Sequence, residues 1–189
     1  MVQTSAMRWS TSASILLSLV VAMFALVNCH PSDFSTQGSD EWQTYVNEEH
    51  QFAIDYPPGW KAYPTEYSGD EALVVSLVRQ EGFSARSVAV VHKRMQSPTS
   101  EDVALWGKER IKELFQSYEL GELRPADNYQ HLDAALTRTY LADEGDRLTD
   151  VYIADGEHAY IITLQTPQEL HDDFTSLFAQ MVASFEVLE

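Results

Sequence analysis

The only cysteine in the chain, Cys29, closes the run Leu26-Val27-Asn28-Cys29, and its neighbourhood gives the thiol a chemistry. An apolar stretch, Ile15 to Val27, precedes it behind Arg8, and the polar run His30 to Asp40 follows. A basic residue, a short apolar region and a cleavage site make up an export signal, and so short an apolar run does not span a bilayer. Leu-Val-Asn-Cys resembles a lipobox, where signal cleavage leaves the cysteine first and a diacylglycerol is joined to its sulfur. Asn28 stands where Gly, Ala or Ser is usual. An exported free thiol is open to oxidation, and acylation removes that exposure. The expectation is a signal peptide over 1–28, lipid attachment at Cys29, a flexible tether over 29–41 and one folded domain over 42–189. The alternative is an ordinary secretory signal cut elsewhere.

Three other groups of residues carry possible chemistry. Asp143-Glu144-Gly145-Asp146, with Asp150 nearby, could offer oxygen ligands to calcium, but it lacks the alternating acids and closing Glu of an EF-hand and lies where a hairpin must turn. His171-Asp172-Asp173 places a histidine beside two acids at the start of a helix, where acids are expected for the helix dipole in any case. The aromatics Tyr56, Trp60, Tyr63 and Tyr67 follow closely on one another and could form a patch for a partner or ligand, or could cover the end of a sheet. His50, His92, His131, His158 and His171 are well separated along the chain. Neither G-x-S-x-G, H-E-x-x-H, a P-loop nor a G-x-G-x-x-G loop occurs. The expectation is no catalytic residue, no metal and no cofactor.

Composition narrows the partners. Lys and Arg number 12 against 29 Asp and Glu, a formal net charge of -17. Such a surface repels phosphate backbones and anionic headgroups, which argues against nucleic acid and leaves membrane attachment to the acyl chains. With one cysteine, the fold holds by packing and not by disulfides.

The elements follow from pattern. His30 to Glu41 is polar and Gly/Ser-rich, a tether that reaches about 40 Å at roughly 3.3 Å per residue. Gln51 to Tyr56 alternates as a half-buried strand, stopped by Pro57-Pro58-Gly59, and Trp60 to Tyr63 predicts a short strand ended by Pro64. Ala72–Val78 and Ser87–His92 are β-branched runs that predict antiparallel strands. Thr99 or Ser100 can cap a helix whose buried face is Val103, Trp106, Arg110, Leu114, Phe115 and Tyr118, with Gly121 as its stop. Strands are expected over Glu122–Asn128, His131–Asp143 and Arg147–Ala154, the last turning at Asp155-Gly156 into Glu157–Gln165. Thr166, Pro167 and Glu169 spell a capping box for a last helix with the stripe Leu170, Phe174, Leu177, Phe178, Met181 and Phe185. Phe185–Leu188 predicts a terminal extended piece. Hairpin-like connections throughout give an α+β domain, an antiparallel sheet covered by helices.

The segment Phe52-x-Ile54-x-Tyr56-Pro57-Pro58-Gly59-Trp60 resembles the opening of PsbP-like domains, and so does the tail: a hairpin at Asp155-Gly156-Glu157-His158-Ala159-Tyr160, then a helix ending in Ala183-Ser184-Phe185. The likeness covers about Trp42 to Glu189. It implies an α/β/α sandwich with a central antiparallel sheet flanked by helices. Family members include the extrinsic protein of the oxygen-evolving complex, its cyanobacterial lipoprotein version, DcrB-type bacterial lipoproteins and a eukaryotic Ran-binding protein. In photosystem members an acidic-Asn segment follows the first hairpin; here Arg86 stands in that place, within Ala85 to Val90. The resemblance implies binding or assembly rather than catalysis. The function expected is an exported, lipid-anchored, non-enzymatic protein that binds or stabilises an envelope protein complex. The alternative is a small-ligand or divalent-metal binding lipoprotein, a photosystem II-type extrinsic role included.

Overall fold

The computed structural model describes residues 41–65, 71–81, 84–142 and 145–188. Cys29 and Asn28, the tether as far as residue 40, Tyr67 and the acidic pair Asp143–Glu144 lie outside them. In chain order the elements are β1 (Gln43–Asn47), β2 (Phe52–Tyr56), β3 (Lys61–Pro64), β4 (Glu71–Glu81), β5 (Ser84–Arg94), α1 (Ser100–Leu114), β6 (Tyr118–Leu120), β7 (Arg124–Pro125), β8 (Leu136–Ala142), β9 (Asp146–Asp155), β10 (His158–Pro167), α2 (His171–Ala183) and β11 (Glu186–Val187). The large sheet runs β3-β4-β5-β10-β9-β8-β6, with β7 also on β8; a small sheet runs β1-β2-β11. All of these pairings are antiparallel.

Strand β10 lies between β5 and β9 and is buried on both faces, which is why Ala159-Tyr160-Ile161-Ile162 is an unbroken apolar run. Period-two alternation divides its side chains. Ala159 and Ile161 meet α1 through Val103, Ala104 and Trp106, together with Val91 and Tyr152. Tyr160, Ile162 and Leu164 meet Phe178, Met181 and Val182 of α2, Phe185, and Phe52, Ile54 and Tyr56 of the small sheet. One helix therefore covers one face, and the second helix with the small sheet covers the other: an α+β sandwich around an antiparallel sheet, as expected.

Helix α1 begins with a capping box, Thr99 N–H donating to Asp102 Oδ2 (2.9 Å) and Asp102 N–H to Thr99 Oγ1 (3.2 Å). It ends at Leu114, with Phe115 already extended, so Gly121 is not its stop. The buried stripe also differs from expectation: Val103, Ala104, Trp106, Gly107 and Ile111 face the sheet, while Leu114 is 56% and Tyr118 36% exposed. The stop comes early because the chain must turn to lay β6 on β8. Gly107 sets the approach of helix to sheet. A Cβ there would sit 2.5 Å from Tyr152 Cε1 and 3.3 Å from Ile161 Cδ1.

Three further expectations shift. Register pairs Asp155 with His158, so the two turn residues are Gly156 (φ 58°) and Glu157, one step later than Asp155-Gly156. The strand expected from His131 starts only at Leu136; Ala126 to Ala135 is a chain of tight turns, with Ala134 at φ 50°. Thr166, fully buried, does not cap α2: β10 continues to Pro167, a single 3-10 turn (Gln168–Leu170) follows, and Thr166 Oγ1 lies 3.1 Å from His171 Nδ1. The ladder to β9 keeps Thr166 extended, which outweighs the local capping pattern. Phe178 and Met181 form the buried stripe of the last helix, Phe185 is buried just past its end, Phe174 and Leu177 pack on its margin, and β11 returns along β2 as the terminal extended piece.

A buried carboxyl lies beneath α1. Asp150, 2% exposed, accepts from Tyr152 Oη (3.0 Å) and Thr163 Oγ1 (2.7 Å) and stands opposite Arg138 in the β8–β9 register. Burial pushes its pKa up to about 6, although these hydroxyls and the charges of Arg110 and Arg138 favour the ionised form. Arg110 ties this point to the helix rim, pairing with Glu71, which also accepts from Trp106 Nε1 (2.8 Å).

Two outcomes are expected. Gly107→Ala should cost roughly 1–3 kcal/mol by overpacking, because Tyr152 is held by Asp150 and has little room to swing; Leu105→Ala, at a 60% exposed position on the same helix, should stay within about 0.5 kcal/mol. Urea unfolding checks both. The folded state binds the Asp150 proton more tightly than the unfolded chain, so this group's stabilising share is greatest in acid and falls away as the pH rises from about 4 to about 6. Asp150→Asn should therefore shift the stability difference between pH 4 and pH 7 against acid, by up to about 3 kcal/mol. The same difference in both proteins would contradict this account.

Candidate functional site

The free flank of β8 carries a polar groove. β6 pairs with Tyr140–Ala142 and β7 with Leu136–Thr137, while the segment between them leaves the ladder near Arg138 and Thr139. Gly121 N–H donates to Thr139 O (2.9 Å), and a Cβ at Gly121 would lie 2.4 Å from that oxygen, so the close approach requires glycine. The resulting hollow, about 530 Å³, is lined by Glu119, Glu122, Arg124, Arg138, Arg147 and Gln168, among others. It meets a second hollow of about 390 Å³ at Thr137, Thr139 and Arg147. The second lies between the sheet and the first turns of α2, bounded by Tyr129, Thr149, His171, Thr175 and Phe178.

A line of hydrogen bonds runs beneath this inner end. Thr139 Oγ1 is 2.8 Å from Thr149 Oγ1, Thr149 Oγ1 is 3.0 Å from His171 Nε2, and His171 Nδ1 reaches Thr166. His171 is 2% exposed, and burial, with Arg147 nearby, lowers its pKa below the ordinary histidine value. The neutral ring therefore donates through one nitrogen and accepts through the other, and so orients the threonine hydroxyls. At the outer end charges of both signs meet: Arg124 Nη2 pairs with Glu122 Oε2 (2.9 Å), and Arg147 Nη1 stands 3.8 Å from Asp172 Oδ1. Arg138, whose backbone borders the groove, turns its guanidinium to the buried Asp150 and Tyr152 under α1, where Nε and Nη1 find no hydrogen-bond partner among the described residues. Hydroxyls, guanidinium groups and carboxylates on an open shelf suit hydrogen bonding to a polar chain or small polar ligand. His171 is oriented by a hydroxyl and not by a carboxylate.

The aromatic group is not brought together as a patch. Alternation turns Tyr56 inward, its hydroxyl donating to Gln43 Oε1 (2.9 Å). The turn at Gly59 (φ 80°) folds Trp60 back over the core, 6.4 Å from the Phe174 ring. Of the described members only Tyr63 is exposed, on the edge strand β3. The described acids of the candidate calcium group, Asp146 and Asp150, do not converge either. Asp146 accepts from Gln165 Nε2 (2.7 Å), whereas Asp150 is buried under α1. Among the described residues no three His, Cys, Asp or Glu side chains are placed to hold a metal ion. His171 turns inward, and its neighbours Asp172 and Asp173 face solvent.

The structure also joins residues that sequence spacing kept apart. His50, His92 and His158 meet at one end of the large sheet, and His131 stands apart from them in the turns before β8. The groove had one sequence signal, Thr137 and Thr139, hydroxyls at period-two spacing where a buried strand would carry aliphatic residues. The histidines had none.

No family model matches the chain, and no curated protein matches it. Among solved structures, the domain is similar to the solution structure of cyanobacterial PsbP (CyanoP) from Synechocystis sp. PCC 6803, with 17% identity over 82% of this chain and 97% of that one and a TM-score of 0.59. It is similar also to a mutant of protein Mog1, with 13% identity over 79% of this chain and 97% of that one and a TM-score of 0.51. At such identities the likeness is one of fold: the chain has the α+β, PsbP-like fold found in CyanoP and Mog1.

Proposed function

We propose that this chain is an exported accessory protein, tethered by a lipid on Cys29, that binds a segment of an envelope protein partner in the groove along β8 and does no chemistry on it. The groove carries the proposal: an open polar shelf with two surface arginines, Arg124 and Arg147, in a chain of net charge -17. Arg is among the residue types that most often anchor a partner. The PsbP-like fold supports the same reading. No helix among the described residues is long and apolar enough to cross a membrane, so in this proposal attachment rests on the acyl chains. A second reading comes from the inner hollow: about 390 Å³ between sheet and helix lies within the size range of small-molecule sites, and its threonines and Arg147 would take a small polar ligand.

In-cell crosslinking of the native protein, followed by mass spectrometry of membrane captures, tests this. One dominant envelope protein should be captured, its yield should fall at least tenfold in the Arg124→Glu/Arg147→Glu double variant, and it should be lost in Cys29→Ala. The melting temperature of the double variant, checked in parallel, should stay within a few degrees, since both arginines are surface residues. Equal capture by the double variant would remove the groove from the contact. Equal capture by Cys29→Ala would remove the anchor from it, and no capture above background would favour the small-ligand reading.

A further inference from the structure

Three imidazoles stand in a row at one end of the large sheet. His50 lies in the turn between β1 and β2, His92 lies on β5 across from Tyr160, and His158 opens β10. His50 Nδ1 is 3.0 Å from His92 Nδ1, and His92 Nε2 is 2.9 Å from His158 Nδ1. His92 is 4% exposed; the outer two rings are half-buried. The Tyr160 ring packs on His92 and His158, and its hydroxyl donates to the carbonyl oxygens of His50 (2.9 Å) and Gln51 (3.2 Å). The nitrogens are strung along a line through His92 and do not surround a point, which suits protons better than a metal ion.

Counting hydrogens limits the charge such a row can carry. Each nitrogen–nitrogen contact needs one hydrogen: with none, two lone pairs face each other, and with two, one N–H points at another. Three neutral rings carry three N–H groups, two of which fill the contacts while the third sits on an outer Nε2, of His50 or of His158. One extra proton fills the other outer nitrogen. A second extra proton has no place except in a contact already filled. The row as built therefore holds one positive charge, whereas three separated histidines in acid would hold three.

We infer that this row is an acid-sensitive latch, which fastens the β1–β2 turn to the large sheet while it carries no more than one extra proton and releases the turn when more are added. Among the described residues, the turn's other hydrogen bonds to the rest of the domain are the two from Tyr160 and one from Leu188 N–H to Gln51 O (2.9 Å). The charges around the row act in the same direction. On β5, Arg94 opposes protonation of both His92 and His158; in the β9–β10 hairpin, Asp155 and Glu157 favour a charge on His158 but are outweighed by burial and Arg94. From β4, Ala72 stands across from His92 and brings no charge, and Lys93 lies by Trp106 and Glu71. Glu48 and Glu49 in the turn itself are exposed. Burial, then the two neighbouring rings, then Arg94 lower His92 to about 4, and burial and Arg94 lower His158. Both stay below the unfolded histidine value of about 6.5, so the latch is fully engaged above that pH and lost as the pH falls from there toward 4. Opening the turn breaks the His50–His92 contact and leaves the His92–His158 contact in the β5–β10 ladder, so the open form takes one proton more than the closed row and the opening constant rises up to about tenfold per pH unit.

The test is proton counting by NMR on the purified full chain labelled with 15N-histidine, from pH 8 to pH 4, with amide hydrogen exchange over Tyr45–Ile54 corrected for its intrinsic pH dependence. The row should take up one proton first. A second should arrive at lower pH, in step with at least a tenfold rise in the opening of the turn between pH 7 and pH 5, and the third only after it, because the His92–His158 contact outlasts the opening. His92→Asn should flatten that rise to less than threefold, whereas His158→Asn, which keeps the His50–His92 contact and its one unmatched proton, should retain it. Three rings titrating singly near pH 6.5, with the turn still protected after all three protons are bound, would overturn the inference without reference to either variant.

Discussion

Coverage of β10 on both faces is the constraint on which the rest of the structure depends. A strand with Ala159, Tyr160, Ile161 and Ile162 in succession has no side that water can be left to wet. The β9–β10 hairpin is therefore central, and each neighbour completes a layer: α1 lies over Ala159 and Ile161, and α2 with the small sheet lies over Tyr160 and Ile162. Gly107 lets α1 come down onto Tyr152, and Phe185, stacked on Phe52 with ring centroids 5.6 Å apart, closes the opposite layer. The two short ends of the chain, β1–β2 and β11, are thereby drawn into one core.

Buried polar groups mark where that coverage is incomplete. Asp150 lies under α1 because the helix leaves the sheet at Leu114, and its carboxyl is satisfied by Tyr152 and Thr163. His171 lies where α2 begins, between two threonine hydroxyls, and the polar floor it helps to build continues outward as the groove. His92 lies at the end of the sheet, against His50 of the β1–β2 turn. Each is paired, as burial demands. Each also sits next to a place where the layers stop and solvent, a ligand or a partner can approach.

Local pattern was a good guide where one residue's neighbours in sequence are also its partners in space. The Thr99–Asp102 box, the alternation of Phe52, Ile54 and Tyr56, and the stripe Phe178, Met181 and Phe185 were all legible for that reason. It failed where a distant strand competed for the same backbone. Thr166-Pro167-x-Glu169 has the form of a cap, yet ten paired positions along β9 hold the chain extended through Pro167. Gly121 has the form of a helix stop, yet its lack of a side chain serves the contact with Thr139 O. The aromatic group was legible as aromatic but not as buried, because the inward turn of Trp60 depends on Gly59 and on the position of Phe174.

By itself the sequence determined the α+β class, the order of the main strands and helices, the strong net negative charge and the expectation of a lipid at Cys29, since these rest on composition and on spacing within one element. Tertiary structure alone decided which polar residues stand together. Thr139, Thr149 and His171 come from three elements, and His50, His92 and His158 are 42 and 66 positions apart along the chain. Such groupings arise from strand order and register, which are settled by how layers pack: the alternating threonines of β8 hint at a polar face, but no segment by itself names its partners.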